Sequence, residues 1–292
     1  MNKFVTGYKD YRLRGLTKPY DPYTTYSILD KKVRAVIHYI KDHSIKDVVV
    51  GFSGGADSTL VLLILCLAKK EYDFNIHAIS VMSLNPKESS FGYAQLGSIS
   101  NINTILDNVI HEVIHYTHSN SLIKAFQGWN LSDKTIHQSY YQSMYNILFT
   151  YAQHVGGITV GTTNMDELSY VGWFGKNSDM MVDLQIISDF HKFEVFEILR
   201  YYQISIDNPP SGDIPNGFTD EEYFGTDYDT LSYYTYCKCE GIPSDLTLPL
   251  VEQLHKDNYH KYLGQSFNPI FIIDKYRFHI YKNPKFNYHK VT

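Results

Sequence analysis

The residues best suited to chemistry stand in a short polar loop, Ser53-Gly54-Gly55-Ala56-Asp57-Ser58, between two apolar runs. The β-branched run from Val48 to Val50 predicts a buried strand, and the apolar run after Thr59 predicts a buried helix. Adjacent glycines let the backbone bend sharply and leave it open to a ligand. Together with the first N–H groups of a helix, such a turn favours an anion.

Asp57 adds a requirement to this anion site. A carboxylate beside a phosphate repels it unless a divalent cation lies between them, so the loop indicates a phosphate chain with a hard cation such as Mg²⁺. The loop lacks the G-x-x-x-x-G-K-[ST] spacing and the lysine of a Walker A motif. The alternative interpretation is an ordinary strand-to-helix connection that contains two glycines.

A second stretch, Gly161-Thr162-Thr163-Asn164-Met165-Asp166-Glu167, also follows a predicted strand at Ile158–Gly161. If both loops lie at the same edge of a sheet, Thr162 reaches the nucleotide and Glu167 shares the cation with Asp57. The alternative is a helix cap, with Thr162 or Asn164 at the N-cap and Glu167 at the third helical position. The two interpretations are compatible, because a cap also places Glu167 at a helix start.

A parallel sheet is needed to bring these loops together. A strand, a glycine turn, a helix and a second strand in succession predict parallel strands with a right-handed crossover. Ligands of such sheets bind beyond the carboxyl ends of the strands. The predicted elements are helices at Leu29–Asp42, Leu96–Leu106 and Ile136–His154, with strands at Asp47–Gly51, Asn75–Met82, Val109–Tyr116 and Ile158–Gly161.

Composition excludes several classes of protein. A chain of 292 residues with 43% hydrophobic residues is long enough to bury a large core. Its net charge of −5 disfavours a nucleic-acid partner. The three cysteines fit a reducing, cytoplasmic location. We expect no membrane partner, because the first residues lack an apolar signal and no apolar run spans a bilayer.

The first loop resembles the Ser-Gly-Gly-x-Asp-Ser loop of the PP-loop ATP pyrophosphatases. Combined with Gly-Thr-Thr-Asn-x-x-Glu at 161–167, it is similar to the ammonia-dependent NAD synthetases of that superfamily. The resemblance implies an α/β fold, with a parallel sheet flanked by helices on both faces, of the adenine-nucleotide alpha-hydrolase type. It continues in order through Trp173–Asp179, Asp183–Ile187, Asp189–Lys192, Asn208–Asp213, Thr219–Asp229 and His260-Lys261.

The resemblance also implies a reaction and a set of site residues. ATP adenylates the carboxylate of nicotinic acid adenine dinucleotide, pyrophosphate leaves, and ammonia displaces AMP to give NAD. The implied catalytic residues are Asp57, Glu167 and Lys192, and the first two hold Mg²⁺. The implied ATP-binding residues are Gly51, Phe52, Ser53, Gly54, Gly55, Ala56, Asp57, Ser58, Thr162, Lys192 and Ser211. Those implied for the dinucleotide acid are Lys176, Asp183, His260 and Lys261.

Several of these residues have ordinary alternatives. Lys176 and Lys192 can be solvated surface lysines, Ser211 a turn residue, and His260 a packed helix histidine. The family resemblance further implies a homodimer. We also expect the ammonia-using form, since the fifty residues before Gly51 contain no cysteine for an amidase domain.

Three departures from the family pattern lie on the acceptor side, meaning the part of the site that the resemblance implies for the dinucleotide acid. The segment Gln138–Tyr151 contains no Arg or Lys where the family carries an arginine, and Gln142 and Met144 are the candidates there. Met180-Met181 replace two glycines, and Tyr262 stands where an arginine is expected. Two alternatives therefore stay open: an amide ligase that adenylates a different carboxylate, or a nucleotide-binding protein with an inactive acceptor site.

Three regions are predicted along the chain. Residues 1–28 form an N-terminal arm, residues 29–262 form the NAD synthetase-like domain, and residues 263–292 form a C-terminal extension. A β-hairpin within Asn268–Asn287 is one interpretation of that extension.

Overall fold

The computed structural model describes residues 22–83, 105, 107–116, 129–175, 177–204, 206, 220–240, 243–259, 261, 270–274 and 288–291. Its strands are β1 (Asp47–Gly51), β2 (Asn75–Ser83), β3 (Ile110–Tyr116), β4 (Ile158–Gly161), β5 (Leu184–Gln185), β6 (Ile270–Asp274) and β7 (Tyr288–Val291). Its α-helices are α1 (Pro22–Asp42), α2 (Ala56–Glu71), α3 (Asp133–Val155), α4 (Lys192–Tyr201), α5 (Asp220–Phe224), α6 (Tyr228–Glu240) and α7 (Pro249–Asn258). A π-helical segment (Asp166–Val171) and a 3₁₀ turn (Asp179–Met181) complete them.

The described strands form one parallel sheet in the order β3-β2-β1-β4-β5-β6-β7. Strand β1 pairs with β2 on one side and with β4 on the other. The chain thus builds outward in one direction through β3 and then in the other from β4. Between β1 and β4 the order reverses, and such a switch point leaves a crevice at the carboxyl ends of the strands. Both loops predicted to bind ligand begin there.

Helices cover both faces of the sheet because the side chains of β1 alternate between two cores. Val48 and Val50 pack in a core shared with α1, α2 and α4. Val49 faces the other way and packs with Leu148 and Ala152 of α3. The predicted parallel sheet with helices on both faces is confirmed. Across the described residues, no helix combines the length and apolarity that a bilayer crossing requires.

Some predicted bounds and connections differ from the structure. Helix α1 begins at Pro22 rather than at Leu29, so residues 22–28 of the predicted arm are helical. Proline is favoured in the first helical turn, and Thr25 and Leu29 are buried one turn apart, which the sequence pattern did not reveal. The predicted helix at Leu96–Leu106 lies outside the described residues except for Ile105.

Of the range Asn268–Asn287, where a hairpin is one interpretation, the structure describes residues 270–274, and these do not form a hairpin with β7. Strands β6 and β7 are parallel neighbours, whereas a hairpin would make them antiparallel. Strand β6 also pairs with β5, with Leu184 beside Ile270. These residues of the extension therefore continue the main sheet.

A buried ion pair ties α1 to the segment that precedes α4. Lys32 Nζ lies 2.7 Å from Asp189 Oδ1, and the side chains are 2% and 0% exposed. The ammonium also lies 4.9 Å from the centre of the Phe190 ring. Removing one member of such a pair leaves an uncompensated charge in the core.

We predict that Lys32→Met lowers the free energy of unfolding by about 3–5 kcal/mol, because Asp189 loses its charge partner. Urea unfolding followed by circular dichroism measures the change. The matched control is Arg34→Met on the same helix, which breaks an exposed pair with Asp30 and should change little. Equal losses of unfolding free energy in both variants would contradict a stabilising role for the buried Lys32–Asp189 pair.

Candidate active site

The loop after β1 leaves the sheet at a fixed point. The Phe52 N–H donates to the Ile79 carbonyl at 2.8 Å, and the Ser80 hydroxyl donates to the Phe52 carbonyl at 2.8 Å. The chain therefore stays attached to β2 through Phe52. It turns at Gly54, whose φ of +81° is a left-handed conformation that favours glycine.

The turn presents a polar concavity at the start of α2. Gly55 is the N-cap of this helix, and no side chain caps it. The Thr59 N–H makes a helical bond to the Gly55 carbonyl, so the three preceding N–H groups have no helical acceptor. The Ser53 hydroxyl accepts from the Gly55 N–H at 3.2 Å and lies 3.2 Å from the Ser58 hydroxyl. This arrangement has the geometry of the predicted anion-binding nest.

The loop after β4 meets the first loop through Asn164. Its side-chain amide donates to Asp57 Oδ1 at 3.3 Å. Asn164 and Glu167 also bond reciprocally: Asn164 Oδ1 accepts from the Glu167 N–H at 3.1 Å, and Glu167 Oε2 accepts from the Asn164 N–H at 3.3 Å. The predicted cap is therefore present. The same residue holds both carboxylates in one cleft.

Lys192, the first residue of α4, completes the cluster. Its ammonium donates to the Asp57 carboxylate and lies 4.7 Å from the centre of the Tyr228 ring. The Tyr228 hydroxyl donates to Asp220 Oδ2 at 2.9 Å and lies 3.4 Å from Glu167 Oε1. Lys192 is only 6% exposed, so the interpretation of Lys192 as a solvated surface lysine is wrong.

The electrostatics of this cluster are unbalanced. Burial raises the pKa of Glu167 well above its usual range, the charge of Asp57 raises it further, and Lys192 only partly offsets them. Burial lowers the pKa of Lys192, but the charges of Asp57 and Glu167 outweigh it and raise that pKa overall. Two carboxylates therefore share one ammonium in a buried place, and a further positive charge would stabilise both.

The donor set fits a hard divalent cation. Carboxylate oxygens of Asp57 and Glu167 are the ligands that Mg²⁺ prefers, and Mg²⁺ commonly completes its shell with water and phosphate oxygens. Among the described residues, no three His, Cys, Asp or Glu side chains are grouped to hold a metal. A magnesium ion at this place would thus depend on the phosphates bound by the neighbouring nest.

The comparison with known proteins decides the family. The NAD synthase family model matches residues 28–260. The chain belongs to the NAD synthase family. The NH(3)-dependent NAD(+) synthetase of Alkaliphilus oremlandii is 27% identical over 248 residues, covering 80% of this chain and 93% of that protein. The protein of the same name from Mycoplasmopsis pulmonis is 30% identical over 237 residues, covering 78% and 84%.

A solved structure agrees with this assignment at the level of the fold. The NMN synthetase from Francisella tularensis superposes with a TM-score of 0.67 at 20% identity, covering 86% of this chain and 99% of that chain. The predicted fold class is confirmed.

The other residues predicted from the family resemblance hold different places. Thr162 is half-buried in the loop after β4. Asp183 accepts from the Thr159 N–H at 2.7 Å and from its hydroxyl at 2.8 Å. Lys261 donates to the carbonyls of Gly172 and Phe174. Asp183, which is exposed, thus fastens β4 at Thr159, and Lys261 fastens the turn after the π-helical segment. Lys176, Ser211 and His260 lie outside the described residues.

On α3, one residue after Met144, which together with Gln142 is a predicted replacement for the family's arginine, Tyr145 contacts the 3₁₀ turn. The Tyr145 hydroxyl donates to Asp179 Oδ1 at 3.0 Å. The other oxygen of Asp179 accepts from the Gly175 N–H and from the Ser178 hydroxyl. This contact brings no positive charge.

Sequence reasoning missed three members of the cluster. Asn164 was considered only as a cap, although its amide also reaches Asp57. Tyr228 is 61 residues from Glu167, and although the Thr219–Asp229 segment that resembles the family contains it, the resemblance gave it no role. Asp220 stands in the first turn of α5, where an acidic residue is ordinary.

We predict that Glu167→Gln stabilises the protein in EDTA-containing buffer as pH rises. In wild type the folded-state pKa of Glu167 is raised, so its favourable contribution is present at low pH and is lost as pH rises through that value. Glutamine does not ionise, so the variant does not lose stability in this way. The free energy of unfolding of the variant minus that of wild type should therefore increase with pH, by at most about 1.4 kcal/mol per pH unit. Urea unfolding between pH 5 and pH 9 measures it.

Glu252→Gln is the control with the opposite sign. Burial raises the pKa of Glu252, but hydrogen bonds from Tyr234, Lys238 and Tyr170 outweigh it and lower that pKa to about 2. This variant should therefore lose stability at neutral pH, and the difference should shrink as pH falls toward 2. If Glu167→Gln behaved in the same way as Glu252→Gln, the electrostatic description of the cleft would be wrong.

Proposed function

We propose that this chain is an ammonia-dependent NAD synthetase that amidates nicotinic acid adenine dinucleotide at the expense of ATP. One observation carries the proposal: Asp57, Glu167 and Lys192 meet in a buried cleft beside the anion nest of the loop after β1. A carboxylate is a poor acyl donor, so it must be activated before ammonia attacks. The arrangement suits adenylation, because the work is chiefly positioning and charge neutralisation.

In this proposal the nest binds the phosphates of ATP. The N–H groups at the start of α2 and the hydroxyls of Ser53 and Ser58 contact phosphate oxygens, and Lys192 neutralises charge on the same chain of phosphates. Magnesium, held by Asp57 and Glu167, would stabilise the charge of the leaving pyrophosphate. The remaining proposed ATP-binding residues are Gly51, Phe52, Gly54, Gly55, Ala56, Thr162 and Ser211.

The residues proposed to bind the dinucleotide acid come from the family pattern. Lys176, Asp183, His260 and Lys261 contact the dinucleotide acid. Asp183 and Lys261 would do so from positions where they also fasten the backbone. Nucleophilic attack by ammonia on the adenylate forms the C–N bond, releases AMP and leaves a proton to be lost. We further propose a cytoplasmic homodimer.

A second candidate follows from α3. The segment Gln138–Tyr151 contains no Arg or Lys, and Tyr145 within it donates a neutral hydroxyl to Asp179. A site without such a cation would suit a carboxylic acid with a different arrangement of phosphates. The second candidate is therefore an amide ligase of the same chemistry that acts on another carboxylate. The mononucleotide acid is the natural comparison substrate, since the Francisella tularensis NMN synthetase shares the fold.

We predict that the purified chain releases AMP and pyrophosphate in a 1:1 ratio with NAD. This turnover should require nicotinic acid adenine dinucleotide, Mg²⁺ and ammonium together, and chromatographic separation of the nucleotides measures it. Turnover with the mononucleotide acid alone would replace the first proposal with the second candidate. Binding of ATP without turnover of either acid would contradict both.

We predict that Asp57→Asn lowers kcat by at least about 100-fold, since loss of a direct ligand should exceed the 10–100-fold typical of outer partners. The protein should stay folded, because the change removes one of two carboxylates that compete for the same ammonium. Asp73→Asn is the control, on a fully exposed carboxylate just after α2. Unchanged turnover in Asp57→Asn would remove the proposed metal role.

A further inference from the structure

A second carboxylate beside the cleft is saturated with hydrogen bonds. Asp166 is fully buried. Its Oδ1 accepts from His191 Nδ1 at 2.6 Å and from the Thr235 hydroxyl. Its Oδ2 accepts from the Lys192 N–H at 2.8 Å and from the Ser232 hydroxyl. Four donors on one carboxylate make a connected network rather than a single pair.

These four bonds join the elements that carry the cluster. Asp166 opens the π-helical segment and is followed directly by Glu167. The Lys192 N–H belongs to the first residue of α4, whose ammonium reaches Asp57. Ser232 lies four residues after Tyr228 on α6, so both side chains project from one face of that helix. The elements joined at Asp166 therefore each contribute one residue to the cleft, namely Glu167, Lys192 and Tyr228.

We propose that Asp166 is a positioning residue that fixes the Glu167 carboxylate, the Lys192 ammonium and the Tyr228 phenol relative to one another. The inference rests on the proposed function, because the three groups would receive the magnesium and the phosphates of ATP. Asp166 itself does not touch the substrate. Its carboxylate is engaged by donors from the start of α4 and from α6.

Positioning of this kind has measurable consequences. Displacement of a binding group by 1 Å commonly costs about 100-fold in rate. Outer partners of metal ligands typically contribute 10–100-fold in metal affinity or activity. Loss of the Asp166 network should therefore act on the concentration of Mg²⁺ needed for half-maximal activity, and not only on the stability of the fold.

Asp189 provides a matched control. It is also fully buried, lies three residues before Lys192, and pairs with Lys32 of α1 at 2.7 Å. Its partner lies in a helix that contributes no group to the cluster. Asp189→Asn should thus lower stability, as Asp166→Asn does, without moving the Mg²⁺ dependence of a protein that remains folded.

The experiment compares Asp166→Asn, Asp189→Asn and wild type. Urea unfolding measures stability, titration calorimetry measures binding of ATP with Mg²⁺, and steady-state assays measure kcat and the half-saturating Mg²⁺ concentration. We expect that Asp166→Asn raises that concentration and the Kd for magnesium–ATP by about 10–100-fold, while Asp189→Asn leaves both within about twofold of wild type. Equal shifts in the two variants, or a folded Asp166→Asn with wild-type values, would overturn the proposal.

Two milder variants decide the question if Asp166→Asn does not fold. Thr235→Val and Ser232→Ala each remove one donor from α6 and leave the carboxylate in place. Each should raise the half-saturating Mg²⁺ concentration several-fold, and a shift in neither variant would overturn the proposal. Calorimetry keeps the test separate from the proposed function, because a wild type that binds magnesium–ATP without making NAD still reports the effect of Asp166.

Discussion

The rest of the structure depends on one electrostatic interaction: the carboxylates of Asp57 and Glu167 both interact with the ammonium of Lys192. The side chains of Lys192 and Asp57 are 8% and 16% exposed, and their charges together with that of Glu167 do not cancel. A buried surplus of negative charge is costly. Neighbouring residues hold this arrangement in place. Asn164 hydrogen-bonds to both carboxylates, and the Tyr228 ring lies against the Lys192 ammonium. The same imbalance makes the cleft favourable for a cation that arrives with phosphates.

The sheet supplies the place for this cleft, and its switch point could be predicted from the sequence. The loop after β1 can be recognised from the local sequence, because a β-branched strand, two glycines and an apolar helix follow one another within about twenty residues. The loop after β4 also follows a strand and offers hydroxyls and carboxylates. Carboxyl ends of parallel strands lie at one edge of a sheet, so the pattern allowed Asp57 and Glu167 to meet. The family resemblance paired them, and the pairing of β1 with β4 brings their loops together.

Other parts of the site could not be predicted, because they depend on contacts between distant residues. Asp166 reaches Ser232 across 66 positions and Thr235 across 69. Neither hydroxyl differs in kind from other serines and threonines of a helix. Lys32 likewise counts as a surface residue in any composition-based argument, yet it is 2% exposed beside Asp189. Buried polar residues identify their partners only once the fold is known, which is why the cluster was predicted in part and its supporting network was not.

The two sides of the cleft are built by different means, and this difference bears on substrate choice. At the proposed nucleotide site, the side chains of Asp57, Glu167 and Lys192 lie in one cluster and are held by Asn164 and Tyr228. Asp183 and Lys261, which are proposed for the acceptor, bond to backbone atoms, so the effect that the structure shows for them is to hold the chain in place. Tyr145 adds a neutral contact to Asp179. A site whose charges are concentrated on the nucleotide side can keep its adenylation chemistry while its choice of carboxylic acid changes.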